Sequence, residues 1–176
     1  MSQGAGDKRA IRRRMLLLRD LIDDRLLRSV QLWADVAALD EYRRAATVMA
    51  FCGIAGEPDT DPLFARLAAD GKALVLPRAA GAGLEAALPG DALVRGPHGV
   101  REPTGATVDA DAVDLVLVPG VAFTTDGCRL GRGGGHYDRF LAGCTAPKIG
   151  VCFAEQLVDA LPVEPHDVRV HRVVAA

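Results

Sequence analysis

The chain has 176 residues, 49% of them apolar and 25% charged, which is typical of one globular domain with a sizeable core. Its net charge of −2 at pH 7 excludes bulk electrostatic attraction to nucleic acid or an anionic membrane, so any anion site must be local. The four cysteines form no C-x-x-C pair, no apolar run reaches the ~18 residues of a membrane span, and no signal-peptide core is visible. We therefore expect a single domain over residues 1–176, a cytoplasmic monomer with reduced thiols, whose first six residues are disordered.

Periodic and apolar segments predict helices that alternate with strands. A first helix is predicted to begin at Asp7. A second follows an N-cap at Asp23 or Asp24 and extends to Leu39, and two more are predicted at 62–71 and at 137–143. Strands are predicted at 46–51, 73–76 (ended by Pro77), 84–88 (an edge strand), 113–118, 148–153 and 168–174, with a loop around 97–99. This order predicts a three-layer α/β/α domain with a mostly parallel, Rossmann-like sheet. In such sheets ligands bind at the carboxyl ends of the strands.

A glycine-dense segment, 119–141, follows the strand at 113–118 and reads PGVAFTTDGCRLGRGGGHYDRFL. Glycines let backbone N–H groups approach an anion, and arginines add forked, charged donors. It is not a Walker A loop, since no Gly-Lys-Ser/Thr follows. It also lacks the position and the distant acidic residue of a dinucleotide fingerprint. Spacing alone predicts an anion-binding loop of unspecified type, with a flexible glycine turn as the alternative. His136, in this segment, could equally contact phosphate, carry a proton or only fill space.

Other charged residues are candidates for a site beside this loop. Asp138 opens the next helix and is either an N-cap or a Mg²⁺ ligand. Lys8 and Arg12 are four residues apart, so they share a helix face and either clamp a polyphosphate or form a solvated basic surface. Glu57, at the predicted ligand-facing edge, is either a site residue or a solvated loop acid. Asp167, in a Pro-His-Asp sequence, is either a second Mg²⁺ ligand or a turn aspartate.

Taken together, these segments resemble the 5-formyltetrahydrofolate cyclo-ligase (5,10-methenyltetrahydrofolate synthetase) family. The resemblance is collinear over residues 8–174, and the block 119–140 is its most specific part. Weaker matches are residues 8–12, 57–60, 71–78, 99–103 and 150–167. The family implies an α/β sandwich. It also implies an ATP-driven, Mg²⁺-dependent cyclisation of 5-formyltetrahydrofolate to 5,10-methenyltetrahydrofolate, with release of ADP and phosphate through a phosphorylated formyl intermediate. Phosphoryl transfer of this kind needs mainly positioning and charge stabilisation.

The resemblance assigns roles to the matching positions of this chain. Glu57 would hold the pterin amino and ring N–H groups, in a pocket shared with Cys52. Arg132 and His136 would be catalytic and would also contact the folate, while Asp138 and Asp167 would hold Mg²⁺. The ATP contacts would be Lys8, Arg9, Ala10, Ile11, Arg12, Arg129, Leu130, Gly131, Arg132, Gly133, Gly134, Gly135, His136 and Tyr137.

Two departures from the family pattern concern the folate side. His136 stands where the family usually has tyrosine, near the reacting formyl group, and the segment 84–87 lacks the bulky residue expected in a folate-pocket strand. Two alternative functions stay open. One is a paralogue with the same ATP loop and another folate-like substrate, and the other is a nucleotide- or folate-binding module without turnover. The predicted metal ligands argue against the module, because binding alone needs no metal.

Overall fold

The computed structural model describes residues 3–54, 56–96 and 99–176, with side chains from Asp7 onward. The helices are α1 (Gln3–Asp20), α2 (Arg25–Ala37), α3 (Asp40–Arg44), α4 (Asp61–Ala69) and α5 (His136–Ala142). The strands are β1 (Thr47–Met49), β2 (Ala73–Ala80), β3 (Gly83–Ala87), β4 (Val94–Arg95), β5 (Arg101–Glu102), β6 (Thr107–Val108), β7 (Leu115–Pro119), β8 (Ala122–Phe123), β9 (Arg129–Leu130), β10 (Lys148–Cys152) and β11 (Arg172–Ala175). Within the described ranges, no helix combines the length and the apolar character that crossing a membrane requires.

A seven-stranded sheet in the order β11-β10-β7-β1-β2-β3-β6 forms the centre of the domain. The five strands from β11 to β2 are parallel to their neighbours, whereas β3 and β6 are added antiparallel. Helix α4 connects β1 to β2, which is the parallel crossover that the sequence predicts. The predicted fold class, α/β with a mostly parallel sheet, is therefore confirmed.

Both faces of the sheet are buried, because successive residues of a strand point to opposite faces. On one face Val48, Leu115 and Leu117 pack with apolar residues of α2 and α4. On the other face Val116 and Val118 pack with residues of α5 and of the β8–β9 hairpin. The core thus has two layers of side chains, one on each side of the sheet.

Three local predictions are wrong, each because a distant contact overrides the local pattern. Strand β2 does not end at Pro77 but continues to Ala80, since Pro77 pairs with Ala86 of an antiparallel hairpin. Strand β3 is not an edge strand, because β6 pairs with its other side. Residues 3–6 are helical rather than disordered, while residues 1 and 2, like residues 97 and 98 of the predicted loop, lie outside the described residues.

Helix α1 lies against the β8–β9 hairpin, and this contact positions the helix beside the glycine-rich loop. Met15 of α1 is buried with Leu130 and other residues of the hairpin. The hairpin itself sits close to the sheet: a Cβ on Gly120 would lie 2.6 Å from the Phe123 ring, so only glycine fits there. One side of α1 is thereby brought to the carboxyl end of β7.

Candidate active site

One face of α1 carries three cations toward the carboxyl edge of the sheet. Lys8, Arg12 and Arg19 follow one another at intervals of four and seven residues, which places them on the same side of a helix. Lys8 and Arg19 are 5% and 1% exposed, although lysine and arginine rarely become buried without partners. Their burial shows that this face is built into the domain and is not the solvated basic surface that the sequence left as an alternative.

Lys8 binds two carboxylates near the C-terminus of the chain. Its Nζ donates to Glu164 Oε2 and to Asp167 Oδ2, both at 2.6 Å. Burial favours the neutral amine, but the hydrogen bonds and charges of Asp167 and Glu164 outweigh it and raise the pKa of Lys8. Burial favours protonated Asp167, yet the bonds from Lys8 and from the Glu164 backbone N–H lower the pKa of Asp167. The structure therefore joins two predicted site residues, Lys8 and Asp167, as an ion pair.

Arg12 fixes the glycine-rich loop against α1. Its Nε donates to the backbone carbonyl of Gly131 at 2.7 Å. The loop then passes through Gly133, whose φ of 104° disfavours any residue with a side chain. A Cβ on Gly133 would also lie 3.5 Å from the Arg12 guanidinium carbon. Arg12 thus connects α1 directly to the glycine-rich loop.

Glu57 lies between two guanidinium groups. Its Oε1 is 3.2 Å from Arg132 Nη2 and 3.7 Å from Arg19 Nη1, while its Oε2 accepts from the Ile54 backbone N–H. Arg132 therefore holds Glu57 beside the glycine-rich loop, and Glu57, whose side chain is only 9% exposed, is not a solvated loop acid. Burial lowers the pKa of Arg19, and the Glu57 carboxylate opposes that shift.

Arg19 is a site residue that the sequence-based reasoning missed. Gly56, next to Glu57, has a φ of 79°, and a Cβ there would lie 2.9 Å from Arg19 Nε. The loop that carries Glu57 is therefore shaped around this arginine. The available signal was the helical interval from Lys8 and Arg12, but five arginines in α1 obscured it.

Asp138 forms a second buried ion pair, with Arg129. Its Oδ1 lies 2.8 Å from Arg129 Nη2 and accepts from the Val168 backbone N–H at 3.3 Å. Helix α5 begins after Gly135, which has a φ of 65°, so Asp138 lies within the first turn and does not cap the helix. The Asp138 carboxylate therefore lies beside the backbone of Val168, the residue that follows Asp167, which is the other aspartate predicted as a metal ligand.

His136 and Tyr137 carry polar atoms that are buried without a hydrogen-bond partner among the described residues. These atoms are His136 Nδ1 and the Tyr137 hydroxyl. Burial raises the pKa of Tyr137, and the nearby Glu57 carboxylate raises it further. Because an unsatisfied buried polar atom costs free energy, such atoms are typical of a place where a polar ligand binds.

The remaining predicted residues occupy different environments. Cys52, just beyond β1, is buried, and burial raises the pKa of its thiol. Ile11 and Leu130 pack in the contact between α1 and the hairpin, whereas Arg9 and Ala10 are exposed. Gly131 and Gly135 are partly buried, and Arg132, Gly133 and Gly134 are exposed. Within residues 8–12, Lys8 and Arg12 are therefore the residues whose side chains form hydrogen bonds to distant segments.

Fold and site together define a class of protein: a mostly parallel α/β domain that gathers cations, a glycine-rich loop and an anchored carboxylate at one sheet edge. Comparison with known proteins specifies the class further. The sequence model of the 5-formyltetrahydrofolate cyclo-ligase family matches residues 5–176, and the chain belongs to this family.

Named relatives agree with this assignment. The 5-formyltetrahydrofolate cyclo-ligase of Mycolicibacterium smegmatis is 38% identical over 141 residues, covering 73% of this chain and 72% of the relative. The mouse 5-formyltetrahydrofolate cyclo-ligase is 27% identical over 174 residues, covering 86% and 84%. The solved 5,10-methenyltetrahydrofolate synthetase of Aquifex aeolicus superposes with a TM-score of 0.86 at 32% identity, covering 96% of this chain and 89% of that one. The synthetase of Mycoplasma pneumoniae (TM-score 0.79, 24% identity, covering 96% and 98%) supports the fold.

Proposed function

We propose that this protein catalyses the ATP-dependent cyclisation of 5-formyltetrahydrofolate to 5,10-methenyltetrahydrofolate. The observation that carries the proposal is the joining of Glu57 to the glycine-rich loop through Arg132. A carboxylate suited to a pterin and a loop suited to phosphate are then adjacent, as transfer between the two substrates requires. The proposal also rests on membership of the family and on the names of the relatives.

The loop and α1 fit a triphosphate. Gly133 and Gly134 are exposed, so their backbone N–H groups are accessible to an anion, and a Cβ on Gly134 would lie 2.6 Å from the His136 ring. Lys8 and Arg12 place cationic groups along the same loop and the adjoining chain. Backbone donors supported by fixed cations are a common arrangement for phosphate groups in proteins. We assign ATP to this cradle as a substrate of the reaction.

Glu57 fits the pterin. A carboxylate accepts two parallel hydrogen bonds, which matches the amino and ring N–H groups of a pterin edge. Arg19 and Arg132 both contact Glu57 Oε1, and the Ile54 backbone N–H donates to Oε2, so the orientation of the carboxylate is set before the substrate arrives. His136 Nδ1 and the Tyr137 hydroxyl supply unsatisfied polar atoms nearby. We therefore assign the folate to the space between Glu57, Cys52 and the start of α5.

The proposed chemistry has two steps. The formyl oxygen attacks the γ-phosphorus of ATP, and the bond from that phosphorus to the bridging oxygen breaks to release ADP. N10 then attacks the formyl carbon and loses its proton to solvent, and the carbon–oxygen bond breaks to release phosphate and leave the methenyl cation. Both steps concentrate negative charge on phosphoryl oxygens, which Arg132 would stabilise, since its side chain is half exposed beside its contact with Glu57. His136 lies within the same loop, beside the formyl group in this assignment.

Two parts of the chain carry carboxylate groups suited to Mg²⁺, because this ion prefers carboxylate and phosphate oxygens as ligands. The Asp138 carboxylate accepts from the backbone N–H of Val168, the residue that follows Asp167, and Glu164 and His166 place ligand atoms within 4.8 Å of a ligand atom of Asp167. We propose Asp138 and Asp167 as the residues that hold the ion. When bound, Mg²⁺ would neutralise phosphate charge, while Lys8 and Arg129 keep the two carboxylates in place.

A direct assay tests the proposal. The purified protein is incubated with 5-formyltetrahydrofolate and Mg-ATP, and the absorbance of methenyltetrahydrofolate is followed. We expect product only when both substrates are present, with one ADP formed per product. Binding of ATP without product would instead support a binding module, and ATP turnover with a different folate derivative would support the paralogue.

A further inference from the structure

The outward side of α1 and the adjoining part of α2 form an exposed apolar surface. Nine large hydrophobic residues are exposed in the described part of the chain, and six of them lie in this one stretch. They are Leu16, Leu17, Leu21, Leu26, Leu27 and Val30. Leu21 is 79% exposed, Leu27 70% and Leu17 65%. Exposed leucines scattered singly need no explanation, but a cluster of this size is typical of an interaction surface.

The charges around this surface are separated by sign. Two grooves meet at Leu18 and Leu21, which line both of them. Arg13 and Arg14 line one groove, and Asp23 and Asp24 line the other. Within the ranges that the structure describes, Arg13, Arg14 and Asp23 form no ion pair, so their charges are available to a partner. The remaining charges of the acidic groove, Arg28 and Glu155, are already paired with each other at 2.7 Å.

This separation is self-complementary. Arg13 and Arg14 precede Leu18 by five and four residues, and Asp23 and Asp24 follow it by five and six. A two-fold rotation about an axis near Leu18 therefore places the basic groove of one copy against the acidic groove of another. The same rotation brings the leucines of both copies together at the centre, which is the arrangement of an isologous dimer.

We propose that this surface is a homodimer interface in which α1 helices of two copies pack antiparallel. An anionic membrane is the weaker fit, because Asp23 and Asp24 would face its negative charge together with Arg13 and Arg14. The proposed dimer leaves the glycine-rich loop accessible, since Lys8, Arg12 and Arg19 occupy the opposite side of α1. It differs from the sequence-based expectation of a monomer, and it does not depend on the proposed activity.

Sedimentation velocity over a wide range of protein concentration tests the proposal. We expect the wild-type chain to shift from the mass of one chain to the mass of two as concentration rises. Leu21→Glu should remain one chain over the same range, because it buries two carboxylates at the centre of the interface. Leu88→Glu is the matched control: Leu88 is 42% exposed but lies far along the sequence, after β3, and this variant should dimerise like the wild type. Circular dichroism confirms that both variants fold.

Charge reversal tests the antiparallel orientation. Arg13→Glu combined with Arg14→Glu should lose dimerisation, and adding Asp23→Lys and Asp24→Lys should restore it, since each reversed groove then faces a reversed partner. A wild-type chain that stays monomeric at every concentration overturns the proposal, as does a dimer that Leu21→Glu leaves intact. A monomer that binds phosphatidylglycerol vesicles, and loses binding in Leu21→Glu, also overturns it and assigns the surface to a membrane.

Discussion

The two sides of α1 have similar composition but different environments. The inward side carries Lys8, Arg12 and Arg19, each of which meets a carboxylate or a carbonyl of a distant segment. The outward side carries Arg13 and Arg14 with exposed leucines, and none of these arginines has an ion-pair partner among the described residues. A count of positive charges does not separate the two sides. What separates them is the contact of the helix with the β8–β9 hairpin, which turns one face inward.

The largest expected effect is on the loop residue that faces the inward side. Replacing Arg132 with Ala should lower kcat by about a thousandfold or more, because an arginine that stabilises a transferring phosphoryl group contributes on that scale. The measurement is the rate of methenyltetrahydrofolate formation under saturating substrates. Arg13→Ala, on the outward side, is the control and should keep its rate within about twofold. A near-normal rate for Arg132→Ala would refute its assigned role.

Lys8 offers the next largest contrast. Lys8→Met should raise the KM for ATP and lower kcat/KM by about 10- to 100-fold, since a charged hydrogen bond contributes about 1.5–3 kcal/mol. Arg14→Met is its matched control on the outward side. Steady-state kinetics with ATP varied at fixed folate would measure both. Equal effects of the two substitutions would show that the distinction between the two sides has no functional meaning.

Arg19 tests whether the inward side also serves the folate. Arg19→Gln should raise the KM for 5-formyltetrahydrofolate about tenfold and leave the KM for ATP nearly unchanged, because its contact is with Glu57 rather than with the loop. Arg19→Lys should recover part of the loss, because it restores the charge. If the KM values for both substrates rise together, or if the lysine variant recovers nothing, Arg19 supports the fold and does not position Glu57.

The Lys8–Asp167 pair predicts a pH dependence of stability. The pKa of Asp167 is lowered in the folded protein, so its contribution is present above its ordinary value of 3.8 and is lost as pH falls through the folded-state pKa. Urea unfolding should therefore show a stability difference between the wild type and Asp167→Asn at neutral pH. That difference should shrink in acid. A difference that stays constant from neutral pH to below 3.8 would contradict the ion pair.

The smallest effect is expected at His136. His136→Tyr should change the KM for 5-formyltetrahydrofolate severalfold and leave ATP affinity within about twofold, because the side chain faces the proposed folate space while the loop backbone is unchanged. Isothermal titration with a non-hydrolysable ATP analogue and steady-state kinetics separate the two. If the affinity for ATP changes more than the KM for 5-formyltetrahydrofolate, His136 contacts the phosphate groups and not the folate.

The sequence was most informative about features that depend on residues close to one another in the chain. The strand at 113–118 and the glycine-rich segment predicted a loop at a sheet edge, and β7 and α5 frame that loop as expected. It was least informative where pairing is long-range. Pro77 read as the end of a strand, but its antiparallel partner extends β2 to Ala80. Arg19 was missed for the same reason, because its contact with Glu57 crosses a large sequence separation.

The sequence by itself determined the fold class and the family, because alternating patterns and collinear motifs are written along the chain. It also named Lys8, Arg12, Glu57 and Asp167 as candidate site residues, and each of them contacts a distant segment in the structure. Only the tertiary structure decided which cations of α1 face inward, which carboxylate each one meets, and that the outward leucines stay uncovered. The physical reason is that a helical sequence places side chains on every face of the helix, and only packing against the hairpin determines which face is buried.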